Sequence, residues 1–351
     1  MEPETHYLRT EASELRRYVA NALVAIGIGA VDADIVSDVF VRASEKQVGH
    51  HDIYDFPGRL KVLRRGRINS SPDIRAVASK GAVESLDGDN GLGELGASFA
   101  MDHALDLASE FGIGFSTISN TNHFLAGSPY VERANERGYF GLILSRTIPS
   151  MGVPGGRAQA IGNNPIGFGI PVAGDHNVVA DFSMSYASWG KLREFGMKSV
   201  TLPDYWANGP DGLPTSDPQQ ALLGAPLPIG GYKGFALALL VESMTSLLGG
   251  GLESNEVSIK NSGVASHAHT AIAIDIGALT SLDLYERRAA LMLDHIRELD
   301  SSVPLTVPGD GSHRNRSEAH AKGIKISIEL ASELDEWSDD LGIERLRLTS
   351  E

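Results

Sequence analysis

Residues 87–96 read Asp87-Gly88-Asp89-Asn90-Gly91-Leu92-Gly93-Glu94-Leu95-Gly96, and two different α/β architectures hang on this decamer. Gly91, Gly93 and Gly96 match G-x-G-x-x-G between a strand-like run and a helical one, and Glu110 lies about 20 residues on, where an acid could hold a ribose. In a dinucleotide-binding crossover such glycines let the backbone approach a diphosphate at a helix N-terminus. Here Asp87 and Asp89 stand directly before the turn and Glu94 inside it, so a diphosphate would be repelled. Glu110 also falls in helix-patterned sequence and not at the end of a second strand. The decamer is therefore read as a glycine turn feeding a helix, and a Rossmann fold is not expected.

Upstream, Leu15, Tyr18, Val19, Ala22, Leu23 and Ile26 recur at helical spacing, and Gly27 and Gly29 end that helix. A second helix is expected from Ala33 to about Gln47 and a third from Ile53 to Arg65. Gly66 and the polar run Asn69-Ser70-Ser71-Pro72 then mark a boundary. Downstream, helix is expected over Ala97–Phe111 and Val131–Arg137. Strands are expected over Ala82–Leu86, Gly114–Ser119, Gly141–Ser145, Ile166–Pro171, Val178–Phe182 and Ala271–Ile276. Residues 196–231 are rich in Pro, Gly and Asp and read as one long irregular segment, of a kind that often carries function. Phe235–Leu248 reads as a buried helix, followed by helices over Leu282–Leu299 and Ser327–Leu341. The result is an α/β (α+β) chain. A helical part over 1–72 is joined by C-terminal helices in 310–351, and an α/β core covers 73–309.

Composition narrows the function. The 351 residues are 42% hydrophobic and 21% charged, enough for a sizeable core without staples. The absence of cysteine excludes disulfides, thiolate metal sites and cysteine nucleophiles. A formal charge of -15 repels phosphate backbones and anionic lipids, so neither nucleic acid nor a membrane surface is expected as a partner. Met1 to Thr10 is polar and acidic and lacks the apolar centre of a signal peptide, and no apolar run reaches membrane-spanning length, so a cytoplasmic location is expected.

Four clusters carry chemistry. His50, His51, Asp52 and Asp55 crowd a helix–loop–helix junction; histidine titrates near neutral pH and can pass a proton to a carbonyl or imine. The same residues could simply cap a solvated helix start, and a metal site is not expected because no other His/Asp pair shows ligand spacing. Asn120-Thr121-Asn122-His123-Phe124 follows a strand and suits polar ligand recognition, or else makes Asx turns. Gly162-Asn163-Asn164-Pro165 and Asp181-Phe182-Ser183-Met184-Ser185 offer hydroxyls and an acid for a ribose or phosphate, or form turns. Gly230-Gly231-Tyr232-Lys233-Gly234 sets a lysine at a helix start, where it could meet an anion or remain an ordinary loop lysine.

Taken in order, with Arg67-Ile68-Asn69 and Gly155-Gly156, these segments resemble the malate/L-lactate dehydrogenase family, from the first helix to about residue 310. The resemblance extends to the family's ureidoglycolate dehydrogenases, diketogulonate reductases and cyclic ketimine reductases. It implies a largely antiparallel central sheet, a homodimer, and NAD or NADP bound outside a Rossmann crevice. By the same resemblance the cofactor lies along Asp181, Phe182, Ser183, Ser185, Tyr232, Lys233, Gly309 and Asp310, with Asn122, His123 and Asn164 lining the same cleft.

The family's proton donor is the histidine of a Ser-His-Gly motif, which aligns with His51; its Ser and Gly positions are His50 and Asp52 here. The resemblance places a carboxylate-binding arginine four residues later, where this chain has Asp55. That inversion would repel a substrate carboxylate by about 1–4 kcal/mol at contact. Either the small-molecule substrate lacks a carboxylate there, as a neutral ketone, polyol or cyclic imine would, or another cation such as Arg146 or Arg59 replaces the arginine. Asp55 is also one helical turn from His51, so a pair that raises the histidine's pKa and assists catalysis is expected. His50, Arg59, His123 and Arg146 complete the expected substrate pocket. A relative that has lost catalysis and binds a ligand or metal through His50, His51 and Asp52 is the alternative of another class.

Overall fold

The computed structural model describes residues 7–156, 158–174, 176–257, 267–300 and 302–350; residues 1–6 of the polar stretch weighed against a signal peptide lie outside them. Among the described residues, seven strands build the central sheet: β1 (Arg75–Lys80), β2 (Val83–Gly91), β3 (Ile113–Thr121), β4 (Tyr139–Arg146), β5 (Ile166–Ile170), β6 (Val178–Phe182) and β7 (His267–Asp275). Their spatial order is β1-β2-β3-β7-β4-β5-β6. Only β2 and β3 run parallel; the other pairs are antiparallel. A doubly wound nucleotide-binding sheet is mostly parallel, so this topology answers the question posed by the glycine decamer.

The decamer's own packing shows what its glycines do. β2 ends at Gly91 and Leu92 leads into α4 (Gly93–Phe111). A Cβ on Gly93 would collide with the backbone of Asn122 and His123, and one on Gly96 would lie 2.9 Å from Thr121 Oγ1. The glycines thus let α4 press onto the end of β3. Along α4, Ala97, Ala100, Ala104 and Ala108 are fully buried, a small-residue face that suits close helix-to-sheet packing.

Helices from both ends of the chain pack together: α1 (Ala12–Ala25), α2 (Ala30–Glu45), α3 (Phe56–Arg64) and α11 (Ile328–Leu341). Tyr18 Oη on α1 donates 2.7 Å to the Leu334 carbonyl on α11. Strand Tyr7–Thr10 pairs antiparallel with both Ile324–Ser327 and Thr349–Ser350. One apolar core runs from Leu15, Phe40 and Phe56 through Ala100 and Ile118 to Leu334. The remaining helices are α5 (Ser128–Glu136), α6 (Trp189–Met197), α7 (Pro218–Leu223), α8 (Tyr232–Glu242), α9 (Leu282–Glu298) and α10 (Asp310–Lys322). No described helix is long and apolar enough to cross a membrane.

Three expectations are corrected. The third helix divides into a 3-10 turn, Ile53–Asp55, and α3, because Asp52 accepts from Tyr54 N at 3.1 Å and Pro57 starts a fresh helix. The supposedly irregular segment contains α7, and with the preceding α6 it closes a small core of its own, Leu192, Leu202 and Ala221, packed with Phe195 and Trp206. The apolar helix after it, α8 with a π-helical turn over Ser243–Leu247, is not buried: Leu237, Leu239, Leu240, Leu247 and Leu248 are exposed.

Candidate active site

The 3-10 turn, the segment after β3, the end of β6 and the α6 segment surround a cleft of about 510 Å³. His50, His51, Asp55 and Arg59 line one wall; His123, Asp181, Phe182 and Ser183 line it further along. The rings form a row: His50 to His51 is 4.2 Å between centroids, His51 to His123 5.1 Å, and His123 to His267 5.7 Å.

His51 makes no side-chain hydrogen bond among the described residues, so its ring nitrogens are available to a ligand. Burial, helped by the neighbouring His50 and Arg59 charges, pushes its pKa down to about 3. At neutral pH it is therefore a neutral imidazole, the protonation state a base requires, though burial makes it a weak one. This corrects the expected His51–Asp55 pair. Asp55 instead meets the Arg59 guanidinium at 3.0 Å along its own helical turn, so its charge is spent there. Burial raises the Asp55 pKa while Arg59 opposes the rise.

Arg59 is central but fully engaged. It donates to Glu94 Oε1 at 2.7 Å, to His123 Nδ1 at 3.0 Å and to the His123 carbonyl at 3.2 Å. Glu94 is fully buried, brought here by the glycine turn that opens α4, and burial raises its pKa. Because Leu125 N also donates to His123 Nδ1 at 3.1 Å, that nitrogen must accept, and the ring proton sits on Nε2. Burial together with His51 and Arg59 keeps His123 neutral, its pKa well below the usual range. Behind it, His269 Nε2 donates 2.9 Å to the Asn122 carbonyl and Nδ1 accepts from Ser145 Oγ at 2.9 Å.

Several expected ligand residues are used as structure. Asn122 Nδ2 donates 2.8 Å to the Gly91 carbonyl, tying β3 to the glycine turn, and does not line the cleft. Asn164, at φ 31, accepts from Thr147 N at 3.0 Å and donates to the Ala238 carbonyl and Glu242, which fixes α8 to the sheet. Its neighbour Asn163 is the one facing the cleft. Ser185 is buried and donates to the Ala187 carbonyl at 2.9 Å. Arg146 is 1% exposed and turned from the cleft to Ser246 Oγ at 2.8 Å and the Leu252 carbonyl, so it does not present a guanidinium to a substrate here. Asp310 is held by His176 at 2.8 Å and Arg297 at 3.1 Å, while Gly309 lines a separate cavity of about 210 Å³. Tyr232 and Lys233 are exposed at the start of α8, just after a loop tied to Ser183–Tyr186 by Ile229 N to the Met184 carbonyl, 2.9 Å.

The cleft also holds residues that no sequence signal had singled out. Ser188, Trp189, Gly190 and Arg193 reach it from α6, and His267 from the central strand β7. A nine-residue helix inside a Gly- and Pro-rich stretch gives little periodicity to detect, and His267 is distant in sequence from every motif.

Known proteins resemble this chain in sequence and fold. The malate/L-lactate dehydrogenase family model matches residues 10–335. The chain is 32% identical to the L-sulfolactate dehydrogenase of Methanocaldococcus jannaschii over 336 residues, 93% of this chain and 96% of that one. The solved structure of the sulfolactate dehydrogenase from that organism superposes with a TM-score of 0.89 at 30% identity, covering 96% of this chain and 98% of the other. The delta1-piperideine-2-carboxylate reductase from Pseudomonas syringae pvar. tomato superposes with a TM-score of 0.86 at 25% identity, covering 94% and 99%.

Proposed function

The chain belongs to the malate/L-lactate dehydrogenase family of oxidoreductases, and from that premise we propose that it moves a hydride between a nicotinamide nucleotide, NAD or NADP, and the carbonyl or hydroxyl carbon of a small polar acid, with His51 handling the proton. The observation that carries this reading is His51 itself: neutral, without a hydrogen-bond partner among the described residues, and facing the cleft. In the oxidising direction His51 takes the hydroxyl proton; in the reducing direction it returns it. His123 Nε2–H, fixed by Arg59 and Leu125 N, is a donor for the substrate oxygen, which carries growing negative charge as hydride arrives.

The fit to a dinucleotide rests on β6, an edge strand of the sheet. Val179 lines the smaller cavity together with Gly309, Lys46 and Arg316, whereas Asp181 and Phe182 line the cleft. An extended ligand can run along that edge from this cavity, where Lys46 and Arg316 are paired with Glu132 at 2.9 and 2.7 Å, to the histidines at the other end. When bound, the nicotinamide supplies the hydride; this chain's residues bind it, exclude water and position the proton.

A second reading, reduction of a cyclic imine, rests on the likeness to a delta1-piperideine-2-carboxylate reductase and on the part-exposed Asp55–Arg59 pair, which offers the cleft no net positive charge at position 55. The exposed leucines of α8 and its π turn are read as the face of a homodimer. The test is nicotinamide oxidation, with NADH and NADPH separately, against keto acids, neutral ketones and cyclic imines, in wild type and His51→Ala. Turnover that disappears in His51→Ala while cofactor binding persists supports the reading. Unchanged turnover in the variant removes His51 from the chemistry, and a cleft that binds no nicotinamide favours a non-catalytic ligand-binding role.

A further inference from the structure

Among the described residues, Arg59 and Arg193 line the cleft, and their electrostatic states differ. Arg59 is held between Asp55 at 3.0 Å and Glu94 at 2.7 Å, so two carboxylates already cancel its charge. Arg193, on the exposed side of α6, has no ion pair with a carboxylate among the described residues. The neighbouring cation on the same helix, Lys191, is taken by Glu194 at 3.0 Å. Arg193 is close enough to the histidine row for its charge to act on His50.

The helix is seated where this matters. Its Ser188 Oγ lies 3.3 Å from His50 Nε2, and Gly190 sits so tightly on the His50 imidazole that a Cβ there would come within 2.6 Å of the ring. Only a glycine lets α6 close onto that wall. The segment's separate small core, built on the adjacent Leu192, anchors the helix that carries Arg193 independently of the main core.

We propose that Arg193 is the specificity-determining residue that holds the acidic group of the substrate, a carboxylate or sulfonate, in place of the arginine that family resemblance expects at position 55. The assignment rests on the hydride-transfer reading above for what happens next, but not for the binding itself. A planar guanidinium offers two parallel N–H donors to either oxyanion. The cation has moved from the 3-10 turn to the facing helix, while Asp55 has become the internal counter-charge of Arg59. The inversion at Asp55 therefore leaves the cleft able to take an acid.

The experiment separates binding from turnover. Oxamate, a carboxylate that mimics a 2-keto acid and cannot be reduced, is titrated by Trp189 fluorescence and by calorimetry in the presence of NADH or NADPH. Reduction of pyruvate, oxaloacetate and 2,3-butanedione is followed in parallel. In Arg193→Gln, oxamate Kd and keto-acid KM should rise about 10- to 100-fold, with kcat changed much less, as expected for loss of a charge-assisted contact. The preference for a keto acid over butanedione should fall by the same factor, and Arg193→Lys should restore part of it. Unchanged oxamate affinity and KM in Arg193→Gln overturn the assignment, as does a wild type that binds no oxamate. Arg193-dependent oxamate binding without reduction of any substrate keeps the anion site and sinks the hydride-transfer reading instead.

Discussion

The carboxylate of Asp55 lies 3.0 Å from the guanidinium of Arg59, one helical turn further on, and the pair faces the cleft as a closed unit rather than as two free charges. An acid at position 55 therefore does not present an uncompensated negative wall to a substrate. Asp55→Asn removes that partner but leaves Arg59 bound to Glu94. KM for a keto acid is expected to fall about three- to tenfold, on the order of 1 kcal/mol at solvent-screened contact. Steady-state kinetics with oxaloacetate checks this, and a rise in KM would show that Asp55 contributes attraction.

His51 is neutral at rest, its pKa near 3. The sign follows directly: a depressed pKa leaves the base competent at all pH values above it, so kcat/KM for alcohol oxidation should carry no His51 limb near pH 6.5. Reduction needs the protonated ring and should gain as pH falls. Profiles between pH 5 and 8 test both, and an oxidation limb near 6.5 that vanishes in His51→Asn would contradict the buried environment. Turnover in His51→Ala should drop about 10²- to 10⁴-fold.

Glu94 holds Arg59 from a fully buried site, and its second oxygen, Oε2, has no hydrogen-bond partner among the described residues. Glu94→Ala leaves a buried guanidinium half compensated and should cost about 3 kcal/mol in denaturant unfolding. Because Arg59 also sets the His123 tautomer, turnover should fall in the same variant, and Glu94→Gln should keep more of both. A stable Glu94→Ala protein with full activity would show that Asp55 alone suffices.

Gly93→Ala tests the meaning of the glycine turn. The added Cβ meets the Asn122 and His123 backbone, so stability should fall by about 1–3 kcal/mol, with kcat reduced through His123. Cofactor affinity of the folded variant should not change, whereas a phosphate-cradling turn would lose it. Equilibrium unfolding and NADH titration distinguish the two.

Leu240 and Leu248 stand exposed, at 48% and 64%, on the apolar face of α8 and its π turn. Leu240→Glu together with Leu248→Glu should convert a dimer into a monomer by sedimentation velocity. A wild type that sediments as a monomer would require another cover for this face.

Local pattern and motif order made much of this protein legible. Short β-rich runs located six of the seven described strands of the sheet, and helical spacings located the long amphipathic helices, because neighbours at i+3 and i+4 report which face is buried. Strand β1, exposed along its whole length, gave no such signal. The acids around the glycine turn argued against a dinucleotide crossover, and the sheet is indeed mostly antiparallel. His51, Asp55, Arg59 and His123 were all named as cleft residues and all line it.

Partnership across the chain was settled only by folding. Asn122 and Asn164 have the polarity of ligand residues, yet backbone groups that need a partner once buried claim both amides. Arg146 and Arg193 are both arginines outside the motifs, and nothing local tells them apart. Pairing of β4 with β7 buries the first beside Ser246, while the short α6, seated on His50, carries the second to the cleft. A side chain's chemistry is fixed by its type, but the charge it offers a ligand depends on which groups, often a hundred residues away, reach it first.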